Sequence, residues 1–496
     1  MSRKAIPLLV VAILAAAVAQ GTTQGIAQGA AQGAAQGVAP STAAAPPNIV
    51  VIMTDDQNVS SLPVMPKTRQ LLAAAGTTFD NNFVSYSLCC PSRATYLTGQ
   101  YPHNHGVMGN SPPDGGYYKL RGDETVPVWL SRAGYRTTHI GKYFNGYGTQ
   151  DPTEIPPGWQ EWHGMVDPTT YRMWGYTINN NGVPRTYGQQ DVEDPALYQT
   201  DVLATFATNY IDRVAPGTQP FLLSFAPLAP HLEVGWASTH GNRNPRPAPR
   251  HRGAFETAQL PRPPSFNEAD VSDKPAQIRQ LPLLGPLDIA SITKDYRSRL
   301  ESLLAVDDAV SSIVARLQAN GELANTLIVF TSDNGWLQGE HRIPRGKIFV
   351  YEESIRVPLI LRGPGVPVNA TNPAFVSNVD LAATILDAAD AQPGITIDGR
   401  SLLSIAQDPG QATGRHLLVE TGPKPSGNQW YAAIRVGRYA YVEHSTGERE
   451  LYDLQIDPYE LQSRHSDPAY ATVRAVLANR MHQLQACAGA SCWLVA

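Results

Sequence analysis

Two short runs constrain this chain most. "NIVVIMTDDQ" (Asn48 to Gln57) and "TLIVFTSDNG" (Thr326 to Gly335) share one pattern. Each is an unbroken, largely β-branched apolar run that stops on acidic or amide side chains. A run without alternation is apolar on both faces, as expected of a strand buried inside a parallel sheet. In open α/β sheets, ligands bind beyond the carboxyl ends of the strands. The two runs therefore predict a large sheet with Asp55, Asp56, Asp333 and Asn334 at its functional edge.

The rest of the chain agrees with alternating strands and helices. "RTTHIGKY" and "PFLLSFAPLAPH" predict further strands, the second leading into a loop with His231. "MPKTRQLLAAAGTTF", "DVLATFATNYIDRVA" and "NVDLAATILDAAD" predict helices. "SITKDYRSRLESLLAVDDAVSSIVARLQANG" predicts a long helix stopped by Gly321. Residues 145–195 read as loops with short strands. Residues 232–287 are rich in Pro and Arg and read as a surface excursion. From about residue 415 the texture changes. "WYAAIRVGRYAYVEH" and "RELYDLQIDP" alternate with period two, predicting a small antiparallel sheet, and "AYATVRAVLANRMHQLQAC" predicts a closing helix. The expectation is an α/β fold with a large mixed, mostly parallel sheet sandwiched by helices, followed by a smaller antiparallel sheet and helix. Its predicted divisions are 48–410 and 411–496.

The N-terminus predicts export. Arg3 and Lys4 precede an apolar run from Ile6 to Val18, and Ala17-Val18-Ala19 fits a cleavage site, giving a signal peptide over 1–19. An uncleaved anchor is the alternative, although the run is short for a membrane span. Residues 20–47 repeat Ala-Gln-Gly and read as a flexible tether. No stable membrane span is expected in the mature chain. The formal net charge is −5, which gives no reason to expect a nucleic-acid partner. Among four cysteines, Cys487 and Cys492 in "CAGASC" predict a small disulfide loop. Cys89 and Cys90 are not expected to pair with each other, since a vicinal bridge is strained.

Four oxygen ligands at two strand ends suit Ca²⁺ or Mg²⁺ better than zinc. Helix capping or a turn is the bland alternative for each acidic pair alone. The segment "SLCCPSRATYLTGQ" narrows the choice: Cys89 to Gly99 fits C-x-P-S-R-x-x-x-L-T-G at every fixed position. In this the chain resembles the formylglycine-dependent sulfatases of the alkaline-phosphatase superfamily. The likeness extends from Asn48 to about Pro458 and includes "YDLQIDPYE". "GKYFNGYG" and "NGWLQGEHRIPRGK", with "PAPRHRGAF", most resemble the N-acetylglucosamine-6-sulfatase and endosulfatase branch.

The resemblance implies a chemistry and a set of roles. Cys89 is the residue expected to be oxidised to formylglycine (3-oxoalanine) by a formylglycine-generating enzyme. Cys90 occupies the variable position and reads as a small packed thiol. A hydrated aldehyde carries two hydroxyls, one to attack sulfur and one to release sulfate afterwards, which a serine lacks. Asp55, Asp56, Asp333 and Asn334, with the side chain at Cys89, are the implied metal ligands, for Ca²⁺ with Mg²⁺ possible. Arg93 is implied to fix the hydrate. Lys142 in "GKYFNG" and Lys347 in "RGKIFVYEESIRVP" are implied to meet the sulfate, and His231 to serve the leaving oxygen.

The chain departs from the family at one place. Many sulfatases carry a histidine two or three residues after the first lysine, where this chain has Phe144 and Asn145. Asn145 can hydrogen-bond but cannot act as a base. His341 is a candidate substitute, and His103 and His105 read as structural. The implied substrate is a sulfated sugar or glycosaminoglycan, or an aryl sulfate. Arg243, Arg246, Arg250, Arg252 and Arg262 either meet a polyanion or are simply solvated. Two other functions fit the same residues: a phosphodiesterase or phosphonate monoester hydrolase of the superfamily, and a sulfated-sugar-binding protein without catalysis.

Overall fold

A computed structural model describes residues 46–234, 242–412 and 414–493. The predicted signal peptide, and the predicted tether as far as residue 45, lie outside the described residues. The strands are β1 (Asn48–Thr54), β2 (Thr77–Phe83), β3 (Arg136–Gly141), β4 (Glu161–Met165), β5 (Tyr176–Asn180) and β6 (Val183–Tyr187). They continue with β7 (Phe221–Ala226), the short pair β8 (Glu233–Val234) and β9 (Asn242–Arg243), β10 (Thr326–Ser332), β11 (Leu359–Arg362) and β12 (Ala370–Ser377). A second sheet holds β13 (Leu417–Glu420), β14 (Tyr431–Val436), β15 (Tyr439–His444) and β16 (Arg449–Asp453).

The large sheet has ten strands in the order β12-β2-β11-β10-β1-β7-β3-β4-β5-β6. Its centre, β10-β1-β7-β3-β4, is parallel throughout. Antiparallel strands flank it, with β11 beside β10 on one side and β5 beside β4 on the other. Every residue of β1, β7 and β10 is buried, as their unbroken apolar runs predict.

Strand alternation divides β1 between two cores. Ile49, Val51 and Met53 pack with Leu97, Leu130 and Ile385. These come from the helices Cys89–Thr98, Val126–Arg132 and Asp380–Ala388. Val50 and Ile52 face the other way, onto Leu203, Ile211, Val306 and Val310. Those belong to the helices Gln199–Val214 and Pro286–Ala319. Each such aliphatic side chain contributes about 1.5–3 kcal/mol on burial. The long helix begins at Pro286, five residues before the predicted start, because Gly285 and Asp288 form a cap: the Gly285 N–H donates to Asp288 Oδ2 at 2.9 Å.

The four-stranded sheet is antiparallel, as predicted. It packs on the large one through a shared core of Phe83, Val84, Leu337 and Tyr351 with Leu417, Tyr431 and Tyr452. The helix Ala471–Gln485 covers its other face through Leu477, Met481 and Leu484. Cys487 and Cys492 form the expected disulfide. Cys89 and Cys90 are free and buried.

His103 ties the start of the domain to its tail. Its backbone and its Nδ1 donate to Glu420 Oε1 at 2.9 and 2.6 Å, and its Nε2 faces the Cys487 carbonyl at 2.9 Å. Both ring nitrogens thus meet acceptors. Burial pulls the imidazole down, but Glu420 and the carbonyl outweigh it and hold the group above its ordinary 6.5. A raised histidine stabilises the fold fully below its unfolded value and loses that contribution as pH rises through the folded value. Thermal midpoints are therefore expected to fall as the pH is raised above 6.5. His103→Gln should flatten that fall, measured by calorimetry across pH.

Candidate active site

The parallel register of β1 on β10 pairs Thr54 with Ser332. The residues that follow, Asp55-Asp56 and Asp333-Asn334, therefore leave the sheet side by side. The Asp333 N–H donates to the Thr54 carbonyl at 3.1 Å, and the Asp56 N–H donates to Asp333 Oδ1, also at 3.1 Å. Asp56 sits in the left-handed region at φ +66°, a conformation that costs a non-glycine residue energy and persists only where its surroundings enforce it.

The helix Cys89–Thr98 begins at this edge and places Cys89 in its first turn. Gly99 ends it at φ +66°, the left-handed stop expected of glycine. The Cys89 thiol lies 3.6 Å from Asp55 Oδ1. One ligand atom from each of Asp55, Asp56, Cys89 and His231 falls within 4.8 Å of the others.

Four cations close on these acids. Arg93 donates from Nε to Asp333 Oδ2 at 2.9 Å and from a terminal nitrogen to the Lys142 carbonyl at 2.7 Å. Lys142 Nζ bonds Asp55 and lies 3.2 Å from Cys89 Sγ. Lys347 Nζ bonds Asp56 and lies 2.9 Å from the same sulfur. Gly141 makes the Lys142 position possible: at φ +114°, a Cβ there would stand 2.1 Å from the Ala226 carbonyl oxygen. The fourth cation is Arg299, buried on the long helix. It donates to the Asp56 carbonyl at 2.5 Å and to the Pro230 carbonyl at 3.0 Å.

His231 Nδ1 donates to the Leu232 carbonyl at 2.6 Å, which leaves Nε2 to face Asp56 Oδ2 at 3.5 Å. Burial lowers this imidazole against the pull of Asp56 and Asp55. Burial raises Asp55 and Asp56, but Lys142 for the first and Lys347 for the second, each with His231, outweigh it and hold both below the usual carboxylate range. Burial pushes the Cys89 thiol up to about 11 despite both lysines, so as a plain cysteine it is protonated and weakly nucleophilic at neutral pH.

The oxygens fit a hard divalent cation. Asp56 Oδ2 and Asn334 Oδ1 are buried without hydrogen-bond partners, and Asp55 and Asp333 stand beside them. Buried oxygens of this kind call for a cation or a proton donor.

The structure does not bring His341 to this group. Its Nδ1 donates to Glu268 Oε2 at 2.6 Å, its ring packs on Tyr351, and it belongs to a separate cluster with Glu353 and Glu460. The turns after Gly339 lead its side chain toward the C-terminal sheet, and only Lys347 returns to the thiol. The arginine-rich excursion is largely neutralised. Arg246 pairs with Glu233, Arg250 with Asp201 and Asp308, and Arg252 with Glu193, while Arg262 lies over the Phe266 ring. The Arg243 side chain lies outside the described residues.

Three contributors were not legible in advance. Arg299 follows Asp295 by one helical turn on an otherwise apolar stripe, and such a charge was the available signal. Tyr171 comes from the Gly- and Tyr-rich loops and gave none. Its ring centroid lies 4.8 Å from Lys142 Nζ and 5.0 Å from the His231 ring. Cys90 is more than a packed thiol, since it bonds Asn145.

With this geometry established, relatives can be compared. The profile of the sulfatase family matches residues 47–391. The chain belongs to the sulfatase family. A second profile, "N-sulphoglucosamine sulphohydrolase, C-terminal", matches residues 339–487. An arylsulfatase of Volvox carteri is 34% identical, over 91% of this chain and 77% of its own length. The N-acetylglucosamine-6-sulfatase of Homo sapiens is 34% identical, over 90% of this chain and 86% of its own. Among solved structures, BT4656 in complex with D-glucosamine-2-N,6-O-disulfate shares the fold, with a TM-score of 0.72 at 24% identity, over 89% of this chain and 97% of that one. Like its relatives, this sulfatase is a sulfuric ester hydrolase.

Replacing Arg299 by Met should leave the Asp56 and Pro230 carbonyls buried and unpaired. Loss of about 2–4 kcal/mol of stability is expected. A lower urea midpoint with an unchanged m value would show it.

Proposed function

We propose that this sulfatase acts on sulfated sugars of the N-acetylglucosamine-6-sulfate or glycosaminoglycan class, through formylglycine derived from Cys89 and a calcium ion, after export from the cell. The observation that carries this reading is the convergence of two acidic strand ends and two lysines on one buried cysteine in a helix's first turn.

Asp55, Asp56, Asp333 and Asn334 would hold the cation, with Mg²⁺ the alternative to Ca²⁺. A hydrated aldehyde at position 89 supplies a nucleophilic hydroxyl and a second hydroxyl for sulfate release, and the cation lowers the pKa of the first. The remaining work falls to the protein's own groups. Lys142 and Lys347 already flank Cys89 Sγ, where their charges can neutralise sulfate oxygens. Arg93, held by Asp333 and the Lys142 carbonyl, fixes the attacking group. His231 has one nitrogen committed to Leu232, so only Nε2 can carry a proton to the leaving oxygen.

A cavity of about 380 Å³ opens beside Lys347. Gln277, Gln280, Gln429 and His444 supply polar groups, and Trp430 forms an aromatic wall. Trp430 is backed by Gly422, where a Cβ would come within 2.3 Å of its ring. An indole plate with several amides suits a sugar's apolar face and hydroxyls. The names of the curated relatives, N-acetylglucosamine-6-sulfatase and extracellular sulfatase, support the same class. Some neighbours also bear on localisation through the word "extracellular", and no helix among the described residues is long and apolar enough to cross a membrane.

The first experiment is the mass of the tryptic peptide Gln70–Arg93 from secreted protein, with and without a co-expressed formylglycine-generating enzyme. An aldehyde or its hydrate in place of the Cys89 sulfur is expected. Unmodified Cys89 in active protein would overturn the nucleophile. Sulfate release from N-acetylglucosamine-6-sulfate should exceed phosphate release from matched phosphate esters, and binding without turnover would favour the non-catalytic reading.

Lys347→Ala should lower kcat/KM about 10²–10³-fold. Chelation should abolish turnover, and Ca²⁺ should restore it.

A further inference from the structure

The group that stands in for the family's histidine after Lys142 can be read from side-chain contacts. Resting on the sulfatase reading above, we propose that the Tyr171 hydroxyl donates a hydrogen bond to a sulfuryl oxygen of the bound ester, and that Cys90 and Asn145 aim it.

The chain of bonds has one consistent direction. The Cys90 N–H donates to Asn110 Oδ1 at 2.9 Å, which fixes the cysteine's backbone. Cys90 Sγ accepts from the Asn145 N–H at 3.2 Å, so its own S–H is free to donate to Asn145 Oδ1 at 3.3 Å. With Oδ1 turned to sulfur, the amide Nδ2 points the other way and donates to Tyr171 Oη at 2.6 Å. A second tie holds Asn145 in place, because its carbonyl accepts from the Tyr117 N–H at 2.9 Å. In the structure the amide thus presents Oδ1 to the sulfur and Nδ2 to the phenol.

Tyr171 Oη spends a lone pair on Asn145. Its proton cannot go back to Nδ2, which is itself a donor, so it is available to an acceptor elsewhere. The ring's position defines where. Lys142 Nζ lies 4.8 Å from the ring centroid and 3.2 Å from Cys89 Sγ. The His231 ring lies 5.0 Å from the same centroid. Tyr171 is half-buried, whereas Lys142 beneath it is fully buried. The tyrosine therefore stands at the rim, beside both the sulfate-binding ammonium and the group assigned to the leaving oxygen. An anion drawn to Lys142 would supply such an acceptor.

An amide cannot exchange a proton as an imidazole can, and the arrangement makes no use of one. It turns the departure at Phe144 and Asn145 into a positioned neutral donor. It also gives Cys90, next to the nucleophile position, a role of its own: a thiol that both accepts from and donates to the same asparagine.

Tyr171→Phe keeps the ring over Lys142 and removes only the hydroxyl. In enzyme normalised to its aldehyde content, kcat/KM is expected to fall about 10²-fold, with KM raised several-fold, kcat carrying the rest, and the thermal midpoint preserved. Asn145→Ala should produce a smaller loss of kcat, and Cys90→Ala a smaller one still. Asn145→Ala combined with Tyr171→Phe should be no worse than Tyr171→Phe alone, because both act through one hydroxyl. Inorganic sulfate, titrated calorimetrically into Ca²⁺-loaded protein, should bind several-fold more weakly to Tyr171→Phe than to wild type. Unchanged kcat and unchanged sulfate affinity would overturn the proposal. Additive losses in the double variant would overturn the relay. Wild-type protein that binds sulfate but turns over no sulfate ester would sink the broader functional reading, while the sulfate titration would still decide the role of Tyr171.

Discussion

The parallel pairing of β1 with β10 is the contact on which the rest depends. It brings Asp55, Asp56, Asp333 and Asn334, from distant parts of the chain, to one edge of a buried sheet. Three carboxylates buried together would repel one another and seek protons. The fold answers with Arg93, Lys142 and Lys347, each delivered by a different element, and with Arg299 on the backbone of Asp56. The site is thus close to charge balance before any ion or substrate arrives. Its remaining unpaired oxygens, Asp56 Oδ2 and Asn334 Oδ1, mark where a divalent cation fits.

This balance explains why so much of the molecule converges on one cysteine. The helix Cys89–Thr98 is packed along its whole length, which leaves the first turn no freedom to move away from Asp55. The loop from Asp333 to Lys347 leaves the site and returns to it, pinned midway by His341 on Glu268. Its return is fixed where the Ile348 N–H donates to the Ser87 carbonyl at 2.9 Å. Trp430, just before β14, and His444 of β15 then line a cavity with Lys347, so the same loop joins the reacting centre to the cavity proposed for the sugar.

Much of the fold was visible in local pattern. Unbroken apolar strands gave the parallel centre, period-two segments gave the small antiparallel sheet, and Gly321 marked the end of the long helix. Strands with mixed polarity were harder. β12, "ATNPAFVS", has no clean period because a register shift between Asn372 and Phe375 interrupts it. The start of the long helix was misplaced because its cap uses a glycine and an aspartate rather than a hydroxyl. His341 was drawn toward the site by its nearness in sequence to Asn334, but the turns between them take it to another cluster.

The sequence by itself determined the donor types at two strand ends, the cysteine motif and the lysine flanks. Those features are written in contiguous residues, where covalent order and local periodicity leave little choice. Tertiary structure alone decided which cations touch which acids, that Arg299 braces Asp56, that His341 stands apart, and that Cys90, Asn145 and Tyr171 form one chain of bonds. Such contacts join residues far apart in the chain. Their partners are selected by the packing of separate elements around a shared core, a constraint that no local stretch of sequence contains.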